Sequence, residues 1–196
     1  MGFFRNLFTY KRAAQPAFEE SRKYWLEEEL KKLERSIGTM QEVYNPSYLG
    51  AFFDTTTQVA TTINTAKAVV FNGIKYEYGV YRGSPTSRLY FDNPGFYNLE
   101  FSLQIAHISS SSGSDVTLWV NFNGVPYPNS AKRVHVRGAG QNIVAAWNFT
   151  GEATAGSYVE LMWTTTDINT VLLAEPATSI YPAVPSVLIT LTQISK

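Results

Sequence analysis

The feature of this sequence that most limits its fold is a change of pattern near residue 45. Residues 1–45 carry eight of the 16 basic and seven of the 16 acidic residues, while the other 151 residues carry eight and nine. The charged part has helical spacing, and the rest alternates apolar and polar residues in short runs between turn signals. We therefore predict an N-terminal segment at 1–45 and a large β domain at 46–196.

The composition excludes several classes of protein. The formal net charge is zero at pH 7, without the basic excess of a nucleic-acid-binding domain. The chain has no cysteine, so it forms no disulfide framework and no cysteine-based metal site. Its apolar runs are shorter than the roughly 18 residues of a membrane-spanning helix, and its start lacks the pattern of a signal peptide. We expect no nucleic acid, no cofactor, no metal and no membrane insertion.

The first ten residues contain a cluster of aromatic and apolar side chains. The cluster consists of Phe3, Phe4, Leu7, Phe8 and Tyr10. Two interpretations are open, a free tail or a peptide that docks onto a partner. We favour docking, because a free tail gains nothing from exposed phenylalanines.

A helix is predicted from about Ala17 to the Asn45-Pro46 stop. Pro16 suits a first helical turn, and a residue before proline avoids helical angles. The apolar positions have heptad spacing over about two and a half repeats. They are Leu26, Leu30, Leu33, Ile37, Met40 and Tyr44. This stripe fits either a helix that lies on a protein surface or a short self-associating coiled coil, and it does not distinguish a dimer from a trimer.

The second segment reads as about ten strands of an antiparallel sandwich or barrel, without a helical pattern that would allow a parallel α/β fold. The candidate strands are 66–71, 75–80, 87–91, 96–107, 115–122, 132–137, 142–150, 157–165, 170–175 and 186–194. Alternation places one set of large side chains in the core. The set is Leu99, Phe101, Leu103, Leu118, Val120, Val144, Trp147, Leu161 and Trp163.

Two of these strands, around "NIVAAW" and "SVLITLTQI", are apolar on both faces. One face of such a strand can pack in its own core, and the other needs a second cover, for which another subunit is the simplest source. The low charge of the segment agrees with this, because the cores of interfaces contain few charged residues. We therefore expect an oligomer.

Several strings in order resemble the tumour-necrosis-factor and complement-head jelly roll. They are "YFDNPGFYNLEFSLQI" (90–105), "LWVNFNGVPYPNS" (118–130), "GEATAGSYVELMW" (151–163) and the closing "PSVLITLTQI" (185–194). The stretch 48–196 also resembles a set of bacteriophage virion proteins through "GAFFDTTTQVA", "VAAWNFT" and "YVELMW". Residues 1–45 carry no such resemblance.

The resemblance implies a mainly β chain, a jelly roll preceded by an N-terminal helix, that assembles as a homotrimer on a virus particle. The expected role is a head fibre, a capsid decoration protein or a tail-fibre tip, made in the host cytoplasm and bound to other virion proteins by its N-terminus. In that family the closing strand lies near the trimer axis, which implies axis positions for Leu188 and Leu191. The segment 44–58 would be the joint, and "DTTTQ" (54–58) would start the first strand.

Catalysis is not expected, because the two histidines, His107 and His135, belong to none of the common hydrolase or phosphate-binding motifs. Contact with a host surface glycan or protein is the main alternative to a purely structural role. Its candidate residues are Tyr78, Tyr81, Tyr127 and Tyr181, which lie in or near predicted loops. A cytokine-like or adhesive module outside any virus is a further alternative.

Overall fold

The computed structural model describes residues 13–15, 19–44, 47–109 and 112–195. The chain divides into two compact units, Met1–Pro46 and Ser47–Lys196. It is mainly β, with one N-terminal helix and antiparallel sheets. The docking cluster Phe3, Phe4, Leu7, Phe8 and Tyr10 lies outside the described residues.

Helix α1 spans Glu19–Tyr44 and ends directly before Asn45-Pro46, as proline chemistry requires. Its ion pairs have i,i+3 spacing, Glu28 with Lys31 at 3.5 Å and Glu29 with Lys32 at 2.8 Å. This spacing brings the paired side chains together on one helical face.

The β unit contains fourteen strands in the described residues. They are β1 (Leu49–Asp54), β2 (Gln58–Val59), β3 (Lys67–Ala68), β4 (Gly73–Tyr78), β5 (Val80–Arg82), β6 (Leu89–Phe91), β7 (Gly95–His107), β8 (Ser114–Phe122), β9 (Val125–Pro126), β10 (Lys132–Val136), β11 (Gln141–Ala153), β12 (Tyr158–Thr165), β13 (Thr170–Leu172) and β14 (Val187–Ser195). The long strands follow the alternation read from the sequence.

The strands form two antiparallel sheets. Sheet A has the order β2-β13-β7-β14-β1-β4, and β11 pairs with the other edge of β7 along its full length. Sheet B has the order β10-β8-β12-β6-β5, with β3 beside β12 and β9 beside β8. The chain crosses between the sheets eight times, at β2–β3, β3–β4, β4–β5, β6–β7, β7–β8, β10–β11, β11–β12 and β12–β13. Each sheet therefore has one face toward the core and one face outward.

The core lies between the sheets and is filled by alternate residues of the long strands. Seven of the nine predicted core side chains are buried, and this part of the prediction is confirmed. They are Leu99, Phe101, Leu103, Leu118, Val120, Leu161 and Trp163. Trp147 is partly buried, with its ring 4.7 Å from that of Phe101.

The prediction that Val144 belongs to the core is wrong. Its side chain is 65% exposed, whereas Ala145 is buried and Ile143 packs against the core. The run "NIVAAW" is apolar at every position, so hydrophobicity alone does not show which alternate residues point inward. The register of β11 on β7 decides it, and it places Val144 opposite Gln104 on the outer face.

The first strand begins earlier than "DTTTQ". Strand β1 spans Leu49–Asp54, with Phe52 buried, and Asp54 is its last residue. The Asp54 Oδ1 atom then accepts hydrogen bonds from the backbone N–H and the hydroxyl of Thr56, at 2.7 and 2.5 Å. Aspartate favours such local turns, so the polar run ends a strand instead of starting one.

Candidate interaction surfaces

The outer face of sheet A is assembled by register across five adjacent strands, β4, β1, β14, β7 and β11. Opposed residues point to the same side of a sheet, so each set of paired positions forms a row. The three rows are Tyr78, Leu49, Thr192, Asn98 and Thr150; then Tyr76, Ala51, Thr190, Glu100 and Asn148; then Phe53, Leu188, Ser102 and Ala146. We call these fourteen side chains the sheet A face.

One of the fourteen side chains, Glu100, is charged, and its Oε1 accepts a hydrogen bond from Asn98 Nδ2 at 2.9 Å. Of the other thirteen, seven are apolar or aromatic and six are neutral polar residues, namely three threonines, two asparagines and one serine. A shallow depression of about 420 Å³ occupies the centre of the face. Its lining includes Ser102, Ala146, Leu188 and Thr190, together with Trp147. An outer face with so little charge has the composition of an interface core more than of a solvated surface.

The two residues assigned to a trimer axis lie on opposite faces of β14. Leu188 is 48% exposed and belongs to the sheet A face. Leu191 is completely buried among the core residues of its own chain. Its assignment to an axis is therefore corrected, because a side chain enclosed by its own core has no surface to offer a second copy.

The outer face of sheet B carries a row of three tyrosines at one end of the sheet. Tyr81 pairs with Tyr90 and Tyr90 pairs with Tyr158, on the adjacent strands β5, β6 and β12. The ring centroids of Tyr81 and Tyr90 are 5.5 Å apart with nearly parallel planes, and those of Tyr90 and Tyr158 are 5.3 Å apart. A side chain at Gly83 would place its Cβ 2.2 Å from the Tyr90 ring. Glycine at 83 thus gives Tyr90 its place in this tyrosine row.

An ion pair with a buried carboxylate and a partly exposed guanidinium lies next to the tyrosine row. The Glu160 residue is 8% exposed, and its Oε1 accepts a hydrogen bond from Ser87 Oγ at 2.8 Å and lies 3.5 Å from Arg88 Nε. The Arg88 guanidinium lies 4.4 Å from the centroid of the Tyr158 ring, a cation–π distance. A hydrogen bond to Tyr90 raises the pKa of Arg88 above its ordinary value, against the effect of desolvation. The pair is therefore neutral overall and held in one position.

The four tyrosines predicted to contact a host do not converge on one site. Tyr78 belongs to the sheet A face, 5.4 Å from Tyr48, and Tyr81 belongs to the tyrosine row. Tyr127 packs edge-on against Phe149 at 4.9 Å, where it helps to close the edge of its own sandwich. Tyr181 is 47% exposed in the segment between β13 and β14. The structure thus separates them into different environments.

Helix α1 presents its predicted apolar stripe to solvent. Leu26, Leu30, Leu33 and Ile37 are 39–55% exposed. Met40 lies on the helix, but its side chain is outside the described residues.

A buried polar cluster closes the end of the sandwich where β7 stops. His107 is fully buried, its Nε2 lies 3.2 Å from Asp167 Oδ2, and its Nδ1 has no hydrogen-bond partner in the described chain. Beside it, the hydroxyls of Ser114 and Thr170 are 2.5 Å apart. His135 differs, because it lies outward on β10 and contacts Asp115 at 2.7 Å. The arrangement around His107 is enclosed, which fits a structural role.

Asp167 makes the stability of this end dependent on pH. The backbone N–H of Asn169 lowers the pKa of Asp167 below its ordinary value, and the Asn169 side chain and His107 act in the same direction. A carboxyl with a lowered folded pKa contributes stability above its unfolded value of about 3.9. This contribution is lost as the pH falls through the folded value. We expect Asp167→Asn to unfold at a lower urea concentration at pH 7 and to lose less stability on acidification than the parent.

Urea unfolding at pH 7 and at about pH 2.5 measures this difference. Asn169→Ala is the intermediate case, because it removes the side-chain donor at 2.9 Å and keeps the backbone donor. Equal acid sensitivity in the parent and in Asp167→Asn would contradict the assignment.

The described residues contain no group of three or more histidine, aspartate or glutamate side chains arranged to hold a metal ion. Within the same residues, no helix is long and apolar enough to cross a membrane. Comparison with known protein families and with curated proteins finds no match for this chain.

Sequence reasoning missed the tyrosine row and its ion pair. In the sequence, Tyr90 and Tyr158 are single positions within the predicted strands 87–91 and 157–165, and no motif links them to Arg88, Glu160 or Asn121. Alternation in 87–91 and 157–165 indicates which side chains share a face of each strand. What the sequence does not show is that β6 and β12 are neighbours in the register that aligns Tyr90 with Tyr158.

Proposed function

We propose that this chain is a structural virion protein of a bacteriophage, a homotrimeric head fibre or capsid decoration protein. Its β unit is a jelly roll that presents sheet B outward, α1 gathers the copies, and the first residues attach to other virion proteins. The motif resemblance supports the placement on a phage particle. The observation that carries the assembly is the sheet A face, where one charged side chain stands among fourteen across five strands.

The strand arrangement supports the jelly-roll part of the proposal. The long strands are divided between two antiparallel sheets. The chain crosses repeatedly from one sheet to the other, as in double Greek-key sandwiches. The outward side of β14 contributes Leu188, Thr190 and Thr192 to the sheet A face. A second copy that covers this face would bury Leu188, the exposed apolar residue among these three.

The test is the solution mass of the full chain and of a truncation that begins at Ser47, measured by light scattering. We expect about three times the chain mass for both, because the sheet A face lies within the β unit. The mass of one chain in both would overturn the assembly. A trimeric full chain with a monomeric truncation would move the self-association to α1. Mass spectrometry of purified phage particles tests the virion placement separately.

A second candidate function is a fibre tip that recognises a glycan on the host surface. The observation that favours it is the tyrosine row on sheet B, which lies on the opposite side of the sandwich from the sheet A face. Assembly through sheet A leaves that row accessible.

A further inference from the structure

We propose that the tyrosine row and the polar groups beside it form a binding site for a neutral hexopyranose glycan. The site consists of Tyr81, Tyr90, Tyr158, Arg88, Glu160 and Asn121, all on the outer face of sheet B. This inference deepens the second candidate function by naming its site and ligand class. It does not depend on the oligomeric state.

The first step of the argument concerns the aromatic surface. Three tyrosines in register, at centroid spacings of 5.5 and 5.3 Å, give a narrow strip in which each ring supports the next. Tyr81 ends the strip and is 38% exposed, so part of its side chain is open to solvent. Tyrosine offers a rigid apolar surface with a polar tip. A pyranose has the matching form, with C–H bonds on one face and hydroxyls at its rim.

The second step concerns the polar groups beside the strip. Glu160 follows Tyr158 by two residues on β12, so both side chains lie on the same face of the strand. Glu160 pairs with Asn121 on the adjacent strand β8. The described contacts of Glu160 both end on Oε1, and Asn121 Oδ1 accepts the indole N–H of Trp119 at 2.9 Å. Glu160 and Asn121 are each 8% exposed, and the register places them on adjacent strands, so the Oε2 acceptor and the NH₂ donor lie on the same outer face of sheet B. One acceptor and one donor match a pair of sugar hydroxyls, each of which can donate and accept.

The third step concerns charge. Arg88 is held between Glu160 and the Tyr158 ring, so the charges of Arg88 and Glu160 compensate each other within the site. A phosphorylated or carboxylated ligand would find no uncompensated cation among these six residues. Complementarity therefore favours a neutral ligand over an anionic one.

The test uses three tetrasaccharides as probes: an α-1,4-glucan, a β-1,4-glucan and a β-1,4-linked N-acetylglucosamine oligomer. We expect saturation-transfer NMR on the full chain to detect at least one of them, with a Kd of about 1 mM. Tyr81→Ala should weaken the binding about tenfold, and so should Gly83→Ala, which displaces the Tyr90 ring without removing any group of the site. The circular dichroism of each variant checks that it folds.

Tyr24→Ala is the matched control, since Tyr24 is 73% exposed on α1, outside the tyrosine row, the sheet A face and the apolar stripe of α1, and its loss should leave saccharide binding unchanged. Saccharide signals that are absent for all three probes at about 10 mM, or that are equal in the parent and in Tyr81→Ala, would overturn the proposal. Either result leaves the solution mass of the trimer untouched, so the two proposals fail separately.

Discussion

Leu188→Glu is expected to convert the proposed trimer into single chains. Leu188 is 48% exposed and pairs with Ser102, on the central strand of the sheet A face and in the last of its three rows. A carboxylate there would be buried without a partner in the assembly, near Glu100, the one charge already present on the face. Unfavourable charge contacts at an interface cost several kcal/mol. Since each 1.4 kcal/mol changes an equilibrium constant about tenfold, the trimer should dissociate at micromolar concentration.

The measurement is light scattering of the parent and of the variant at the same concentration. Ile180→Glu is the matched control, because Ile180 is 89% exposed between β13 and β14 and lies outside the sheet A face. We expect the control to keep the parent mass. A trimeric Leu188→Glu would place the interface elsewhere, with the stripe on α1 as the next surface to change. Thermal unfolding of both variants shows whether the substitution acts on assembly or on the fold.

The long strands could be read from the sequence because their physical signal is local. Burial alternates along strands β7, β8 and β12, and polar turn residues mark their ends. Alternation and turn residues are therefore enough to predict these strands. The same signal failed at Val144, where neighbours on both sides are apolar, and at Asp54, whose side-chain hydrogen bonds end a strand. The local pattern predicts the type of element. Which alternate residues of an all-apolar run face the core is decided by the register with the partner strand.

The candidate sites were harder to predict than the strands, because they arise between strands. The sheet A face combines residues of β4, β1, β14, β7 and β11, which lie far apart in the chain. The strand pairing is what brings them into rows. The sequence predicts a second apolar face on β14, and the structure places Leu188 there at 48% exposure, together with Thr190 and Thr192. The sequence does not separate Leu188 from Leu191, which differ by an odd number of positions and so point to opposite sides.

Trp163→Ala is expected to destabilise the β unit more than any change on either outer face. Trp163 is a fully buried side chain on β12, and truncation of such a residue leaves a large cavity at a cost of about 3–5 kcal/mol. Native domains have only about 5–15 kcal/mol of stability, so a large part of it would be lost. The Trp163 indole N–H has no hydrogen-bond partner in the described chain. Trp163→Phe should therefore cost much less, because it removes an unpaired donor and keeps an aromatic ring.

The matched control for this substitution is Trp119→Ala, on the neighbouring strand. Trp119 pairs with Met162, the residue before Trp163, and it lies on the outer face of sheet B, partly exposed. Its loss removes one hydrogen bond to Asn121 and a partly solvated ring, so we expect a cost near 1 kcal/mol. Urea unfolding at one fixed protein concentration compares the three variants, since assembly makes stability depend on concentration. Equal losses for Trp163→Ala and Trp119→Ala would mean that the space between the sheets is not the core, because only the inward tryptophan should leave a cavity.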